Sequence, residues 1–407
     1  MFYAIPRGVI YQSLSDNLLT FIKTVFGQLN NREVITKFES EFAKLLGRRY
    51  CLAFPLARMG IYFTLKRQNF PPGSEIIMPP ITIKGILDVI LSLNLKPVFV
   101  DLDANTICFD QEKLGLAINS KTKCILITYL FGMVPDIESM VKLCKAKNLF
   151  VLEDFSQCLN GKQNNNKTGS FGDVGIYSAS SIKTLDTYGG GLVVLDDEKL
   201  YKMLKIDAEA LMPPSKKILL KKVYTNFVRN FLTKRFIFNF LTFPMIKLIT
   251  KINPSILIKQ TGERETSMIT DLPKDWFYGF SSIQASVGLR KLKKLHQEDG
   301  LRTRNAELIK QSCVKNIFPK GVGNTQNMYW QLIAYFENPL NTQSNLSAVK
   351  IDSARSSLTK ISSLKEYPYK AFTPVADYIY EQGLFIPAHY NLSSSDINKI
   401  VYSLNKL

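Results

Sequence analysis

A chain of 407 residues with 46% hydrophobic and 21% charged side chains has the composition of a globular protein, which excludes a disordered or fibrous class and allows one large and one smaller domain. Its formal net charge is +18, so a partner of negative charge has to be considered. Two histidines and six scattered cysteines (Cys51, Cys108, Cys124, Cys144, Cys158, Cys313) without a C-x-x-C pair argue against a zinc site and for reduced core thiols.

Residues 1–10 contain Arg7 and no apolar run of signal-peptide type, which points to a cytoplasmic setting. The spacing of Val34, Ile35, Phe38, Phe42, Leu45 and Leu46 predicts a helix over 31–46, stopped by Gly47. Short apolar runs then predict buried strands at 50–54, 75–78, 97–100, 124–129, 149–152, 175–178 and 191–195. Helix-length segments such as 83–93 and 137–147 separate most of them, the pattern of a mainly parallel sheet covered on both faces. From about residue 282 a basic helix at 283–298, continuing toward Gln311, opens a stretch of mixed short elements. The expected division is a large domain over 1–281 and a smaller α+β domain over 282–407.

In such sheets ligands bind at the carboxyl ends of strands. Asp154 and Ser178 occupy those positions. Asp154, in Glu153-Asp154-Phe155-Ser156-Gln157, taken by itself is more often a helix cap or a solvated turn than a catalytic acid. Further on comes Gly169-Ser170-Phe171-Gly172-Asp173, then Ser178-Ala179-Ser180-Ser181-Ile182-Lys183, then Gly189-Gly190-Gly191. A lysine between a serine-rich turn and three glycines suits a cofactor site, where loss of water lowers an amine's pKa and makes it nucleophilic; the bland alternative is a solvated surface lysine.

Taken in order, E-D-x-x-Q, G-S-F-G-D, S-x-x-x-x-K and the glycine-rich run resemble the DegT/StrS-type sugar aminotransferases over about 32–200 and again from about 282 to the C-terminus. Supporting matches are Phe38-Glu39-Ser40-Glu41-Phe42-Ala43, Pro97-Val98-Phe99-Val100-Asp101, Phe131-Gly132 with Pro135-Asp136, and Pro374-Val375-Ala376 through Ile386-Pro387. The resemblance implies fold type I of the pyridoxal-phosphate (PLP) enzymes: a seven-stranded, mainly parallel sheet between helices. It also implies a homodimer and the following roles. Lys183 carries PLP as a Schiff base and then moves the substrate proton; Asp154 holds the proton on the ring nitrogen; Gln157 bonds the ring hydroxyl; Ser178 and backbone N–H groups at Ala57 hold the phosphate. The acceptor would be a keto-sugar on a nucleotide or lipid carrier, and the donor an amino acid, glutamate by expectation.

The chain departs from the family pattern in three places. Leu56-Ala57-Arg58 stands where Ser-Gly-Thr is usual, and Arg58 is expected to offer the phosphate a bidentate cation, with a surface helix residue as the alternative. Ile83 stands where an aromatic residue often covers the PLP ring, leaving only apolar contact. Residues 276–281 lack the Asn and Arg by which the family reaches a neighbouring subunit's cofactor. His389 is left without a role.

Between the two family-like regions, residues 210–262 hold ten Lys or Arg and no Asp or Glu. Leu220, Tyr224, Phe227, Phe231 and Leu232 fall on one helical face, with Lys217, Lys221, Lys222, Arg229, Lys234 and Arg235 as charge. The longest uncharged run, 236–246, is too short to span a bilayer, so the segment reads as an insertion lying on an anionic membrane at the inner face of the cell membrane. The alternatives are packing on the protein's own core and a nucleic-acid contact, though no specific nucleic-acid motif accompanies the charge. A second function class follows from the altered residues: a catalytically impaired member acting as a basic membrane- or nucleic-acid-binding protein.

Overall fold

The computed structural model describes residues 3–252, 269 and 271–407. The main sheet has seven strands: β1 (Tyr50–Phe54), β2 (Glu75–Met78), β3 (Lys96–Phe99), β4 (Thr122–Thr128), β5 (Phe150–Asp154), β6 (Val174–Ser178) and β7 (Gly191–Leu195). Their spatial order is β1-β7-β6-β5-β4-β2-β3. Only β7 runs against its neighbours, β1 and β6; the other contacts are parallel, in the mainly parallel seven-stranded arrangement expected.

Because side chains alternate along a strand, each buried strand feeds two layers. Ile77, Ile125, Val151, Tyr177 and Val194 enter one core with Phe38 and Phe42. Ile76, Cys124, Leu152, Ile176 and Val193 enter the other, with Met59 and Leu87. The first layer is capped by α2 (Arg32–Leu46), whose Asn31 side chain caps its start and whose Gly47, at φ 71°, closes it in the left-handed conformation a glycine tolerates. The second is capped by α3 (Ala57–Gln68) and α4 (Lys84–Ser92). The six cysteines are unpaired, and all but Cys313 are buried.

After β7 come α5 (Glu198–Ala210), α6 (Lys216–Leu232) and α7 (Phe243–Ile252). No described helix is long and apolar enough to cross a membrane. The remainder of the basic stretch, 253–262, lies outside the described residues. The predicted basic helix continues past Gln311 as expected: α8 (Ser282–Ser312) runs 31 residues from a capping box at Ser281 and Gln284. It crosses α2 where Gly288 meets Phe38; a Cβ there would stand 2.2 Å from the Phe38 ring. Beyond it a two-stranded sheet pairs Leu332–Tyr335 with Gly383–Ile386.

Candidate active site

The apolar runs that end β4, β5 and β6 deliver Thr128, Asp154 and Ser178 to one edge of the sheet, with Thr128 directly opposite Asp154. Asp154 is buried, 8% exposed, and accepts a hydrogen bond from the Ser156 backbone N–H at 3.0 Å. The Ser156 hydroxyl in turn accepts from the Ser178 backbone N–H at 2.9 Å, which locks the ends of β5 and β6 together.

Why the two linked motifs occur together is visible in Glu153. This wholly buried carboxylate points to the other side of β5 and collects the backbone N–H groups of Gly169, Phe171 and Gly172 (2.6–2.8 Å) and the Tyr129 hydroxyl (2.5 Å). Asp173 adds a bond from the Val151 N–H at 2.7 Å. The first carboxylate and the glycine loop therefore fix β5 to β6, leaving Asp154 to face the site.

Lys183 sits on a loop whose base is tied by bonds from Thr187 N and Gly189 N to the Ala179 carbonyl. Ile182, just before it, is held at φ 74°, a strained conformation for a β-branched residue and one that clusters at functional sites. The ammonium is 6% exposed and lies 3.8 Å from the centroid of the Trp330 ring, whose indole N–H donates to the Ile182 carbonyl at 3.0 Å. Burial pulls the Lys183 pKa down to about 8, against the opposing pull of the Asp154 charge. Burial pushes the Asp154 carboxyl up, and its Ser156 bonds and Lys183 draw it partly back. The two side chains thus lie close enough for each charge to favour the other's charged form.

The structure also gathers the other predicted groups. Gly191, paired with Ser178 across β6 and β7, is in contact with the start of α3: a Cβ on it would stand 2.4 Å from the Ala57 nitrogen. Helix α3 begins at Leu56 without any side-chain cap, so its first N–H groups remain for an anion. Gln157 accepts from the Phe131 N–H through Oε1 at 2.6 Å, which leaves its amide NH2 as the available donor. Arg58 does not extend into open solvent; its guanidinium lies 4.4 Å over the Trp276 ring and against Gly85. Ile83, at the foot of α4, is 44% exposed. His389 is buried with Nε2 3.2 Å from the Pro6 carbonyl oxygen, and burial lowers its pKa to about 4, the behaviour of a structural histidine.

Two groups escaped the sequence reading. Trp330 has no periodic or motif signal, although its rarity in a chain with two tryptophans could have drawn attention to it. Thr128 is buried and its hydroxyl has no hydrogen-bond partner among the described residues, an orphaned polar atom beside Asp154. An uncapped helix end beside Ser178, a hydroxyl without a described partner next to a buried carboxylate, and a buried lysine of lowered pKa fit PLP, which needs an anion site for its phosphate, a carboxylate for its ring nitrogen and an amine for its aldehyde.

Comparison with known proteins gives the same picture at coarser grain. Residues 22–216 match the DegT/DnrJ/EryC1/StrS aminotransferase family. The GDP-perosamine synthase of Escherichia coli O157:H7 is 32% identical over 41% of this chain and 46% of its own length; that of Caulobacter vibrioides is 21% identical over 92% and 90%. The spore coat polysaccharide biosynthesis protein SpsC of Bacillus subtilis is 29% identical over 44% of this chain and 46% of its own. The chain thus spans under half the length of the curated relatives it matches at 29% identity or more. Among solved structures, a sugar aminotransferase of Micromonospora echinospora superposes with a TM-score of 0.75 at 18% identity, covering 99% of both chains. A Helicobacter pylori aminotransferase involved in pseudoaminic acid biosynthesis gives 0.73 at 20%, over 99% of this chain and 98% of its own. At those identities the likeness establishes the fold.

Proposed function

We propose, from the match of residues 22–216 to the DegT/DnrJ/EryC1/StrS aminotransferase family, that this chain is a PLP-dependent aminotransferase that moves an amino group from glutamate to a keto-sugar. The single observation that carries the reading is that buried Lys183, on the loop after β6, lies within electrostatic reach of buried Asp154 at the carboxyl end of the adjacent β5. Relatives named GDP-perosamine synthase and GDP-4-keto-6-deoxy-D-mannose 3-dehydratase support a carrier-linked keto-sugar as the acceptor class.

Bound PLP supplies an aldehyde that takes up the amino group and a ring that delocalises the electron pair left on the substrate carbon. This chain's residues do the rest. Asp154 holds a proton at the ring nitrogen, which its buried, anionic character favours over water. Ser178 and the uncapped end of α3 bind the phosphate, with Arg58 adding positive charge at the same helix end. Gln157 donates its free amide to the ring oxygen. Lys183, neutral above about pH 8, takes the proton from the donor's α-carbon and returns it on the far side of the exchange. The loop in strain at Ile182 keeps that amine aimed at the site rather than at solvent. The intact pair favours turnover over the binding-only alternative.

The finer setting is part of the same proposal: a homodimer, held at the anionic inner membrane surface by α6 and α7. Supporting it, Tyr224, Phe227 and Phe231 of α6 face outward beside exposed Lys217 and Lys221, while Leu219, Val223 and Asn226 face inward. Of the five residues of the predicted face, Leu220 and Leu232 are half-buried and the three aromatic ones are exposed.

The test is spectroscopic. Purified protein given PLP should develop the visible band of a lysine-bound cofactor and lose it on adding glutamate, with release of 2-oxoglutarate. Lys183→Ala should abolish the band, and Asp154→Asn should keep the band but slow the glutamate half-reaction at least a hundredfold. A band of undiminished strength in Lys183→Ala would refute the assignment.

A further inference from the structure

Next to Lys183, and separated from it only by Trp330 and Ile182, lies a cavity of about 370 Å³, within the size range of small-molecule sites. Its walls are mostly apolar: Val9 and Ile10 from the N-terminal strap (residues 6–11), Leu232 from the end of α6, Phe238 from the turn before α7, Ile246 from α7 itself, and Leu332 from the C-terminal sheet. Of its three arginines, Arg7 is held by Asp352 and Arg302 by Asp299, whereas Arg229 has no ion-pair partner among the described residues. A larger cavity of about 600 Å³ on the other side of the strap mixes Asp16 and Glu298 with Lys291 and Lys294, and its lining does not include Trp330.

We propose that the smaller cavity binds the carrier of the sugar substrate, and that the carrier is an apolar chain joined to the sugar through phosphate. The inference rests on the aminotransferase reading and deepens it. The ligand's chemistry follows from the walls. Thr233, Thr242, Gln331 and His389 also line the cavity, but its surface is mainly apolar, which suits a hydrocarbon chain better than a nucleobase whose ring edges all need hydrogen-bond partners. Arg229, with the cavity at its side, is placed for the phosphate link. The outer lip points the same way: Ile246 lines the cavity while its helical neighbours Met245 and Leu248 are exposed, so apolar side chains of α7 face both the cavity and the outside. Those walls come from residues 6–11, 229–246 and beyond 300, outside the 22–216 span shared with the family; only Ile182 falls inside it. Carrier preference can therefore differ from that of relatives named for GDP-sugars while the chemistry at Lys183 is kept.

The experiment uses Trp330 as its own reporter. In full-length Trp276→Phe protein it is the sole indole. Farnesyl diphosphate, below its micellar concentration, should change that emission saturably, and GDP should neither produce the change nor compete with it. Leu232→Asp should weaken farnesyl diphosphate at least tenfold, and Arg229→Glu severalfold, with the Lys183 absorption band intact in both. Saturable competition by GDP, absence of any saturable response, or indifference to both substitutions would overturn the proposal. The cofactor band separates the two readings: a normal band without farnesyl diphosphate binding sinks only the carrier assignment, whereas binding without a band sinks the aminotransferase reading and leaves the cavity's ligand class standing.

Discussion

Glu39 shows how a single side chain near this site reports its surroundings. It lies on α2, accepts the Ala53 N–H at 2.7 Å, and burial raises its pKa to about 7. A carboxyl whose folded pKa exceeds its unfolded value stabilises the fold fully below about pH 4.5, and that contribution is lost as pH rises through about 7. Because the side chain keeps an exposed edge, the cost of charging it is on the order of 2 kcal/mol after screening. Glu39→Gln keeps an acceptor for Ala53 without the charge. Its melting temperature should match the parent's near pH 5 and exceed it by several degrees at pH 8.5; equal shifts at both pH values would contradict the account. Glu39 belongs to the Phe-Glu-Ser-Glu-Phe-Ala match, so its presence was legible in the sequence while its protonation was not. The same holds at the site. Lys183, Asp154, Gln157 and Ser178 were legible because they sit in ordered motifs. Trp330 was not, because it comes from 147 residues downstream and meets Lys183 only through tertiary packing.

At the scale of elements, the strand positions were readable because buried parallel strands are nearly continuous apolar runs, and the observed bounds differ from the expected ones by no more than two residues at either end. Helix α6 was readable as a helix but not in its inward contacts. Its buried Asn226 donates to Asp186 Oδ2 at 2.8 Å, Val223 packs on Tyr188, and the Lys222 ammonium lies against Gly189, whose missing side chain gives it room. All three partners belong to the loop that follows Lys183. Burial raises the Asp186 pKa to about 6, with Tyr188 N–H and Asn226 opposing. Asn226→Ala removes one of those donors from a buried carboxylate and should cost about 1–3 kcal/mol. If α6 and the lysine loop open as one unit, amide exchange should quicken over 184–190 as well as over 216–232. Faster exchange confined to α6 would show that the helix rides on the loop without supporting it.

For the whole molecule, the excess positive charge has to be reapportioned once the contacts are known. Nine of the ten basic residues in 210–262 lie in the described part. Lys222 is turned inward, Arg235 pairs with Asp396 at 3.0 Å, and Lys216 donates to the Val25 carbonyl, so these hold the protein together rather than face a partner. Lys217, Lys221, Lys234 and Lys247 remain exposed, together with Phe236 and Phe240 at more than 60% exposure. At roughly 1 kcal/mol for each cation near an anionic surface, four give about 4 kcal/mol, a hold that added salt can erase. The outward aromatic rings contribute a part that salt does not weaken. Flotation with vesicles rich in phosphatidylglycerol should therefore recover the protein at low salt and lose most of it at 0.5 M, while neutral phosphatidylcholine vesicles recover little at either. Replacing Lys217 and Lys221 by Glu should mimic the effect of salt, and Phe236→Ser with Phe240→Ser should weaken the residual binding. Equal recovery on neutral and anionic vesicles would mean that the charge plays no part in holding the enzyme to a surface.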